Sequence, residues 1–163
     1  ENAAETVFKI YKQGNARAVF HAISDEDVKN IMQHPRASIA SDGPMMVFGV
    51  GKPHPRSYGT YPRVLGKYVR EQNIISLPEA IRKMTSLPAK VLSIEERGLI
   101  KEGYFADIVV FNEKTISDNA TFQNPHQYSN GVEYVLINGV IVIKDGKHTG
   151  AKPGKVLHGP GYK

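Results

Sequence analysis

The chain has 163 residues, of which 40% are hydrophobic and 23% charged, with a formal net charge of +5 and no cysteine. This length suits one domain with a hydrophobic core, or a larger unit with a small appendage. The lack of cysteine excludes disulfides, thiolate nucleophiles and a Cys-based zinc site made from this chain alone, and it favours a reducing compartment such as the cytoplasm.

No apolar run approaches the ~18 residues that a membrane span needs, so we expect no membrane association. The positive charge gathers near the C-terminus, where five lysines after Val140 face one acid, Asp145. A nucleic-acid footprint would interleave such lysines with aromatic residues, and these lysines are spread out without them. We therefore expect a solvated basic tail and no nucleic-acid partner.

The first part of the chain alternates predicted helices and strands. Helical spacing covers residues 1–13, and residues 16–23 read as a buried strand. Ser24 is a good N-cap for a helix that stops before Pro35. Residues 38–41 form a second short strand, so this stretch predicts a βαβ unit with parallel strands.

A long loop follows, from Gly43 to Tyr61, and loops of this length in compact domains are often functional. A helix is expected from Pro62 to Glu71. Ser76 opens another helix through a capping box to Glu79, and Pro88 is expected to end or kink it.

From Gly98 the pattern changes to β-strands. Residues 106–111 read as a strand, and residues 132–144 as a hairpin turning at Asn138-Gly139, with a further turn at Asp145-Gly146. We place a boundary here, between residues 1–97, which carry the loop 43–61, and a small β-rich portion, residues 98–163.

Asp42 stands at the end of the second predicted strand, followed by Gly43. Active sites of parallel α/β folds gather at the carboxyl ends of strands, where a carboxylate can act as general base or metal ligand. Asp-Gly is equally common as a simple turn or cap. Both interpretations remain open from the motif alone, and the long loop favours function.

The loop carries a His-Pro-Arg triplet. Arg56 could bind a substrate carboxylate through a bidentate pair, or could be an exposed residue of a rigid turn. His54 could assist proton transfer or line the loop. The other histidines show neither His-x-His nor His-Glu-x-x-His spacing, so a zinc site built from this sequence alone is not expected.

The chain resembles the late-barrel segment of N-acyl-D-amino-acid deacylases (D-aminoacylases) of the amidohydrolase superfamily. The resemblance is carried by an ordered set of motifs, SDG, HPRSYGTYPRVLGKYVRE, LPEAIRKMTSLPAKVL, ADIVVF, ATFQNPHQY and TGAKPGKVLHGPG. It covers essentially the whole chain from Ser24 onward. SDG or ADIVVF alone is a weak signal, whereas the ordered set is specific.

The resemblance implies an α/β fold, made of the last βα units of a TIM-barrel-type metallohydrolase and part of a small β-sandwich domain. It implies zinc in the complete enzyme and hydrolysis of N-acyl-D-amino acids to a carboxylate and a D-amino acid. Asp42 would be the general base acting on a metal-activated water, and a candidate metal ligand. Arg56 would bind the substrate α-carboxylate, and His54 is a second candidate substrate-binding residue.

The chain also departs from this family. The His-x-His pair, the bridging ligand and two further histidines belong to earlier barrel strands and are not here. A full barrel needs ~250 residues, so the chain resembles the C-terminal third of the enzyme. We expect it to be inactive alone, to require the missing N-terminal barrel portion, and to be capable of oligomerising through exposed sheet edges.

Two alternatives stay open. Cyclic-amide hydrolases of the dihydroorotase or hydantoinase type share the barrel and the late aspartate, although a carboxylate-binding arginine favours the deacylase. The other alternative is a non-catalytic interaction module that docks through its β half and basic tail.

Overall fold

A computed structural model describes residues 2–14 and 22–162 of the chain, with helices in the first part and a sheet in the second. The α-helices are α1 Ala3–Lys12, α2 Asp25–Gln33, α3 Arg56–Arg63, α4 Leu77–Met84 and α5 Ser86–Val91, and a π-helix, Val64–Glu71, continues α3. The strands are β1 Ile108–Phe111, β2 Val132–Ile137, β3 Val140–Lys144 and β4 Lys147–His148. Within the described ranges, none of the helices has the length and apolar character needed to cross a membrane.

Local capping signals determine where α2 and α4 begin. The Ser24 hydroxyl accepts a hydrogen bond from the Asp27 amide at 3.0 Å, and the Ser76 hydroxyl accepts one from the Glu79 amide at 3.4 Å. Each bond satisfies an amide that has no partner within its helix. Both predicted helix starts are confirmed, and α2 ends before Pro35 as expected.

The helix predicted from Pro62 begins six residues earlier, at Arg56, so that prediction of its start is wrong. Pro62 lies inside the helix, where it cannot donate to the Tyr58 carbonyl one turn back. That carbonyl instead accepts a hydrogen bond from the Ser129 hydroxyl at 3.0 Å. A hydrogen bond from a distant loop thus replaces the one that Pro62 cannot donate. Because α3 begins at Arg56, the loop after Gly43 ends at Pro55.

The chain adopts π-helical geometry directly after α3, for the eight residues Val64–Glu71. Most π-helices in proteins are single-turn bulges, so this one is long. Its inner face places Val64, Leu65 and Tyr68 in the core. Gly66 packs against the Ile116 carbonyl, from which an added Cβ would be only 2.7 Å away.

Pro88 does not end the preceding helix, contrary to the sequence prediction. The break falls at Thr85, whose backbone leaves helical geometry with φ −129° and ψ −87°. Pro88 then lies in the first turn of α5, where a missing amide hydrogen costs no helical hydrogen bond.

The two predicted strands before the loop have different outcomes. Most of the strand at 16–23 lies outside the described residues. Residues 38–41 form no strand, so that prediction is wrong, whereas the predicted parallel pairing involves residues 16–23 and lies mostly outside the described residues. A strand needs a neighbour for its backbone groups, and here the Ile39 amide donates to the Lys83 carbonyl of α4, at 3.0 Å.

The four strands form one antiparallel sheet in the order β1-β2-β3-β4. The predicted hairpin and its turn are confirmed, since Asn138 and Gly139 have φ of 50° and 79°, as a type I′ turn requires. The turn at Asp145-Gly146 is also confirmed and leads into the short strand β4, which the sequence analysis did not identify.

A small hydrophobic core joins the helices to the loop before β2. It consists of Met32, Val64, Leu65, Tyr68, Ile75, Ala80 and Ile116. Next to it, the fully buried Lys83 donates hydrogen bonds from Nζ to the His34 and Ala37 carbonyls. These bonds satisfy carbonyls at the C-terminal end of α2 and anchor the turn that leads to Asp42.

Candidate active site

A cavity of about 700 Å³ lies where α2, residues 37–42, α3 with the π-helix, and the loop at 118–123 meet. Its inner wall is apolar and includes Val28, Met32 and Val64. The charged residues that line it are Asp42, Arg56, Arg63 and Asp118, and His54 lies among them. All three site residues predicted from the sequence therefore line the same cavity.

Asp42 lies in a backbone conformation that few residues adopt, with φ of 47°. Aspartate and asparagine tolerate this left-handed region better than most side chains. The adjoining Gly43 is required by a close approach, since a Cβ there would lie 2.9 Å from the Ser57 Cα. The Asp42 side chain is 85% exposed, so its carboxylate is accessible from the cavity mouth.

Arg56 is the first residue of α3, and its side chain reaches back across the loop to Asp42. The Arg56 Nη2 to Asp42 Oδ2 distance is 2.9 Å. The residues before and after the long loop therefore meet, although thirteen residues separate them. A guanidinium that holds one carboxylate in this position has the geometry to hold a ligand carboxylate in its place.

His54 lies just before α3. Its Nδ1 accepts a hydrogen bond from the Arg56 amide at 3.0 Å. Its ring packs edge-on against Phe122, with ring centroids 4.9 Å apart. The structure thus places His54 in the cavity wall, in contact with the Arg56 backbone.

The sequence analysis missed a second ion pair in the cavity wall. Arg63 Nη1 lies 2.6 Å from Asp118 Oδ2. Burial alone would lower the pKa of Arg63, but attraction and hydrogen bonding to Asp118 outweigh it and raise that pKa. Gly59 makes room for this pair, because a Cβ there would lie 2.7 Å from the Asp118 Cβ. Arg63 and Asp118 are 55 residues apart, and no local motif signals their pairing.

The described ranges do not by themselves form a metal site. Within residues 2–14 and 22–162, no three His, Asp or Glu side chains come together as a set that could hold a metal ion. A catalytic zinc takes about three protein ligands. Asp42 offers one carboxylate, which within the described ranges is paired with Arg56.

Comparison with known proteins gives the class of this chain. The model of the Amidohydrolase family (Amidohydro_3) matches residues 3–143. The chain therefore belongs to the amidohydrolase family.

Curated relatives within this family are deacylases. N-acyl-D-aspartate deacylase from Alcaligenes xylosoxydans xylosoxydans is 44% identical over 87% of this chain and 28% of its own length. D-aminoacylase from the same organism is 39% identical over 87% of this chain and 29% of its own length.

A solved structure supports the same assignment. N-acyl-D-glutamate deacylase from Bordetella bronchiseptica, in a crystal structure with zinc and a phosphonate inhibitor, is 42% identical with a TM-score of 0.69. The match covers 74% of this chain and 25% of that protein. It confirms the predicted α/β class as part of an amidohydrolase fold. The chain spans little more than a quarter of the length of the relatives it matches.

Proposed function

We propose that this chain is the C-terminal portion of a metal-dependent hydrolase that cleaves the amide bond of N-acyl-D-amino acids. In this proposal Asp42 is the general base and Arg56 binds the substrate α-carboxylate, with His54 orienting Arg56. The observation that carries the proposal is the 2.9 Å approach of Arg56 to Asp42 at the cavity mouth.

This short distance matches the chemistry of the substrate class. In an N-acyl-amino acid, one carbon atom separates the carboxylate from the nitrogen of the scissile amide. The group that binds the carboxylate and the base that acts at the amide must therefore be close neighbours. A carboxylate-binding group far from the base would suit a substrate with more atoms between its carboxylate and its amide. Arg56 instead lies directly beside Asp42.

Hydrolysis requires proton transfers that one carboxylate can perform. When a substrate carboxylate takes the place of Asp42 on Arg56, the Asp42 carboxylate becomes available as a base. It accepts a proton from the water whose oxygen adds to the amide carbonyl carbon. As the carbon–nitrogen bond breaks, the protonated Asp42 returns this proton to the leaving nitrogen, giving a carboxylic acid and the amine of the amino acid.

The complete site needs more than the described residues supply. The relative from Bordetella bronchiseptica is complexed with zinc, and we include zinc in the proposal, held by residues of an N-terminal barrel portion. The apolar cavity wall formed by Val28, Met32 and Val64 would then face that portion. We also propose that the chain divides into a barrel portion, residues 1–97, and a small β-rich portion, residues 98–163. The isolated chain is proposed to be inactive.

The proposal is tested with the longer protein that contains this chain. The purified, zinc-supplemented protein is incubated with racemic N-acetyl-aspartate, N-acetyl-glutamate and N-acetyl-methionine, and the released amino acids are resolved by chiral chromatography. We expect only D-amino acids to appear. Turnover of hydantoins or dihydroorotate in their place would overturn the proposal in favour of a cyclic-amide hydrolase.

The isolated 163-residue chain serves as the second sample. We expect it to release no amino acid, because the described residues hold no metal-binding set. Turnover by this chain, at a rate that survives repurification, would contradict the assignment of the zinc ligands to another part of the protein.

A further inference from the structure

The segment from Ala120 to Tyr128 crosses from the sheet side of the molecule to the long loop between Asp42 and Arg56. Its Phe122 packs against His54 near the end of the loop. Its His126 reaches the middle of the loop. The roles assigned to Asp42, His54 and Arg56 do not explain this second contact.

His126 makes hydrogen bonds on both ring nitrogens. Its Nδ1 accepts from the Gly49 amide at 3.2 Å and lies 2.8 Å from the Tyr58 hydroxyl. Its Nε2 lies 3.0 Å from the Gly51 carbonyl. Because the Gly49 amide donates to Nδ1, the neutral ring carries its proton on Nε2, which donates to Gly51, and Tyr58 is a second donor to Nδ1.

Aromatic rings pack beside this set of bonds. Phe48, in the loop, stacks on Tyr128 with ring centroids 4.9 Å apart and meets the His126 ring at 5.5 Å. Tyr58 contacts both Phe48 and Tyr128 edge-on. We call the bonds of His126 to Gly49, Gly51 and Tyr58 the His126 anchor, and these rings add packing contacts beside it.

The position of Tyr58 links this anchor to the site. Tyr58 lies in the first turn of α3, two residues after Arg56. The loop and the helix start are thus tied to the same imidazole. The loop has no regular structure of its own between residues 43 and 47, and long loops without such ties sample many conformations.

We propose that His126 is a positioning residue, which holds the loop and the first turn of α3 so that Arg56 stays beside Asp42. This inference rests on the proposed function, in which Arg56 binds the substrate α-carboxylate. Without the anchor, the loop and Arg56 lose their fixed placement, while Asp42 keeps its own support from Gly43 and the Lys83 contacts.

The test compares two substrates in the longer protein: the N-acetyl-D-amino acid that the wild type hydrolyses fastest, and its α-carboxamide. Arg56 distinguishes a carboxylate from a neutral amide only when it is correctly placed. We expect His126→Ala to reduce the preference for the carboxylate substrate, as a ratio of kcat/KM values, by about tenfold or more, chiefly through KM. A general loss of folded protein would lower both values equally and leave the ratio unchanged.

Further variants keep the test decisive if His126→Ala folds poorly. Tyr58→Phe removes one donor and keeps the ring, and we expect a smaller loss of the preference. His126→Asn restores an acceptor near Nδ1, and we expect partial rescue. His148→Ala is the matched control, since His148 Nδ1 also accepts a backbone amide bond, from Gly150 at 2.9 Å, but in the sheet and outside the cavity lining.

The failure of this inference is distinguishable from failure of the proposed function. If the wild type hydrolyses the substrate and the carboxylate preference is unchanged in His126→Ala and Tyr58→Phe, His126 is not a positioning residue. If the wild type hydrolyses no N-acyl-amino acid, the proposed function and the role of Arg56 fail together. Hydrogen exchange of residues 44–52, faster in His126→Ala than in wild type, then shows whether His126 still holds the loop.

Discussion

At the scale of single residues, the candidate site depends on two side chains that face each other across a loop. Asp42 has an uncommon left-handed backbone and an exposed carboxylate, while Arg56 begins a helix and its amide donates a hydrogen bond to His54. Neither residue is held by the hydrophobic core. Each can therefore be changed with little effect on the folded structure, which makes kinetic measurements on substituted proteins direct tests of the proposed roles.

We predict separable effects for the two residues in the longer protein. Asp42→Asn should lower kcat about 10²- to 10⁴-fold with little change in KM, because an amide cannot accept the proton of the attacking water. Asparagine also tolerates the left-handed backbone, so the comparison isolates the charge. Asp145→Asn, at another positive φ but in the turn before β4, is the matched control.

Arg56→Ala should instead raise KM about 10- to 100-fold, since one charge-assisted hydrogen-bonded pair contributes about 1.5–3 kcal/mol. Arg56→Lys should recover part of this loss, because lysine keeps the charge without the planar bidentate geometry. Steady-state kinetics decide between the outcomes. An unchanged KM in Arg56→Ala would contradict the carboxylate-binding role.

At the scale of elements, close contacts of glycine determine how the helices meet the loop before β2. Gly131 has φ of 79°, and a Cβ there would lie 2.6 Å from the Ile116 nitrogen. Ile116 is itself almost fully buried and contacts the π-helix side of the core. The Asn112 amide also bonds the Gly131 carbonyl, at 2.8 Å. The contact between Gly131 and Ile116 therefore leaves no space for a side chain at position 131.

Gly139 provides a matched control for a prediction about Gly131, since it has the same φ of 79° but nothing within 4 Å of an added Cβ. Gly139→Ala should cost about 1–2 kcal/mol from backbone conformation alone. Gly131→Ala should cost about 1–3 kcal/mol more, because backbone atoms must also move apart. Urea denaturation of the purified chain measures both, and equal losses would show that the Ile116 contact is unimportant.

At the scale of the whole molecule, cations of α4 connect the helices that surround the cavity. Arg82 donates to the Pro35 carbonyl at 2.6 Å, beside the bonds of Lys83 to His34 and Ala37. Glu79 receives two hydrogen bonds from Arg82, at 2.7 and 2.8 Å, and lies 3.5 Å from the Lys83 Nζ. This carboxylate thus orients the contacts that hold the turn before Asp42.

The stability of the fold should therefore depend on the charge of Glu79. Hydrogen bonds from Arg82 lower the pKa of Glu79 from 4.5 to about 2, and the positive charges of Arg82 and Lys83 contribute to the same shift. A carboxyl group with a lowered pKa in the folded chain stabilises the fold above its unfolded pKa of 4.5, and this contribution is lost as the pH falls toward 2.

Glu79→Gln should accordingly lower the free energy of unfolding at pH 7, and its difference from wild type should shrink between pH 4.5 and 2. Urea denaturation of the purified chain across this pH range is the measurement. Glu102→Gln is the control, because Glu102 is exposed and forms no ion pair within the described ranges. A difference between Glu79→Gln and wild type that stays constant with pH would contradict the prediction.

The sequence by itself determined the features that depend on a few neighbouring residues. The caps at Ser24 and Ser76 and the hairpin turn at Asn138-Gly139 are satisfied by bonds or dihedral preferences within four residues, so local patterns predict them. The family resemblance likewise depends on ordered local motifs, and the comparisons confirmed it.

Only the tertiary structure decided the features that depend on distant partners. The start of α3 at Arg56 and its passage through Pro62 need Ser129 to satisfy the Tyr58 carbonyl, 71 residues away. In the segment 38–41, which forms no strand, the Ile39 amide donates to the Lys83 carbonyl of α4. The approach of Arg56 to Asp42, and of His126 to the loop between them, likewise arises from packing. Such contacts bring together residues whose local sequences carry no sign of one another.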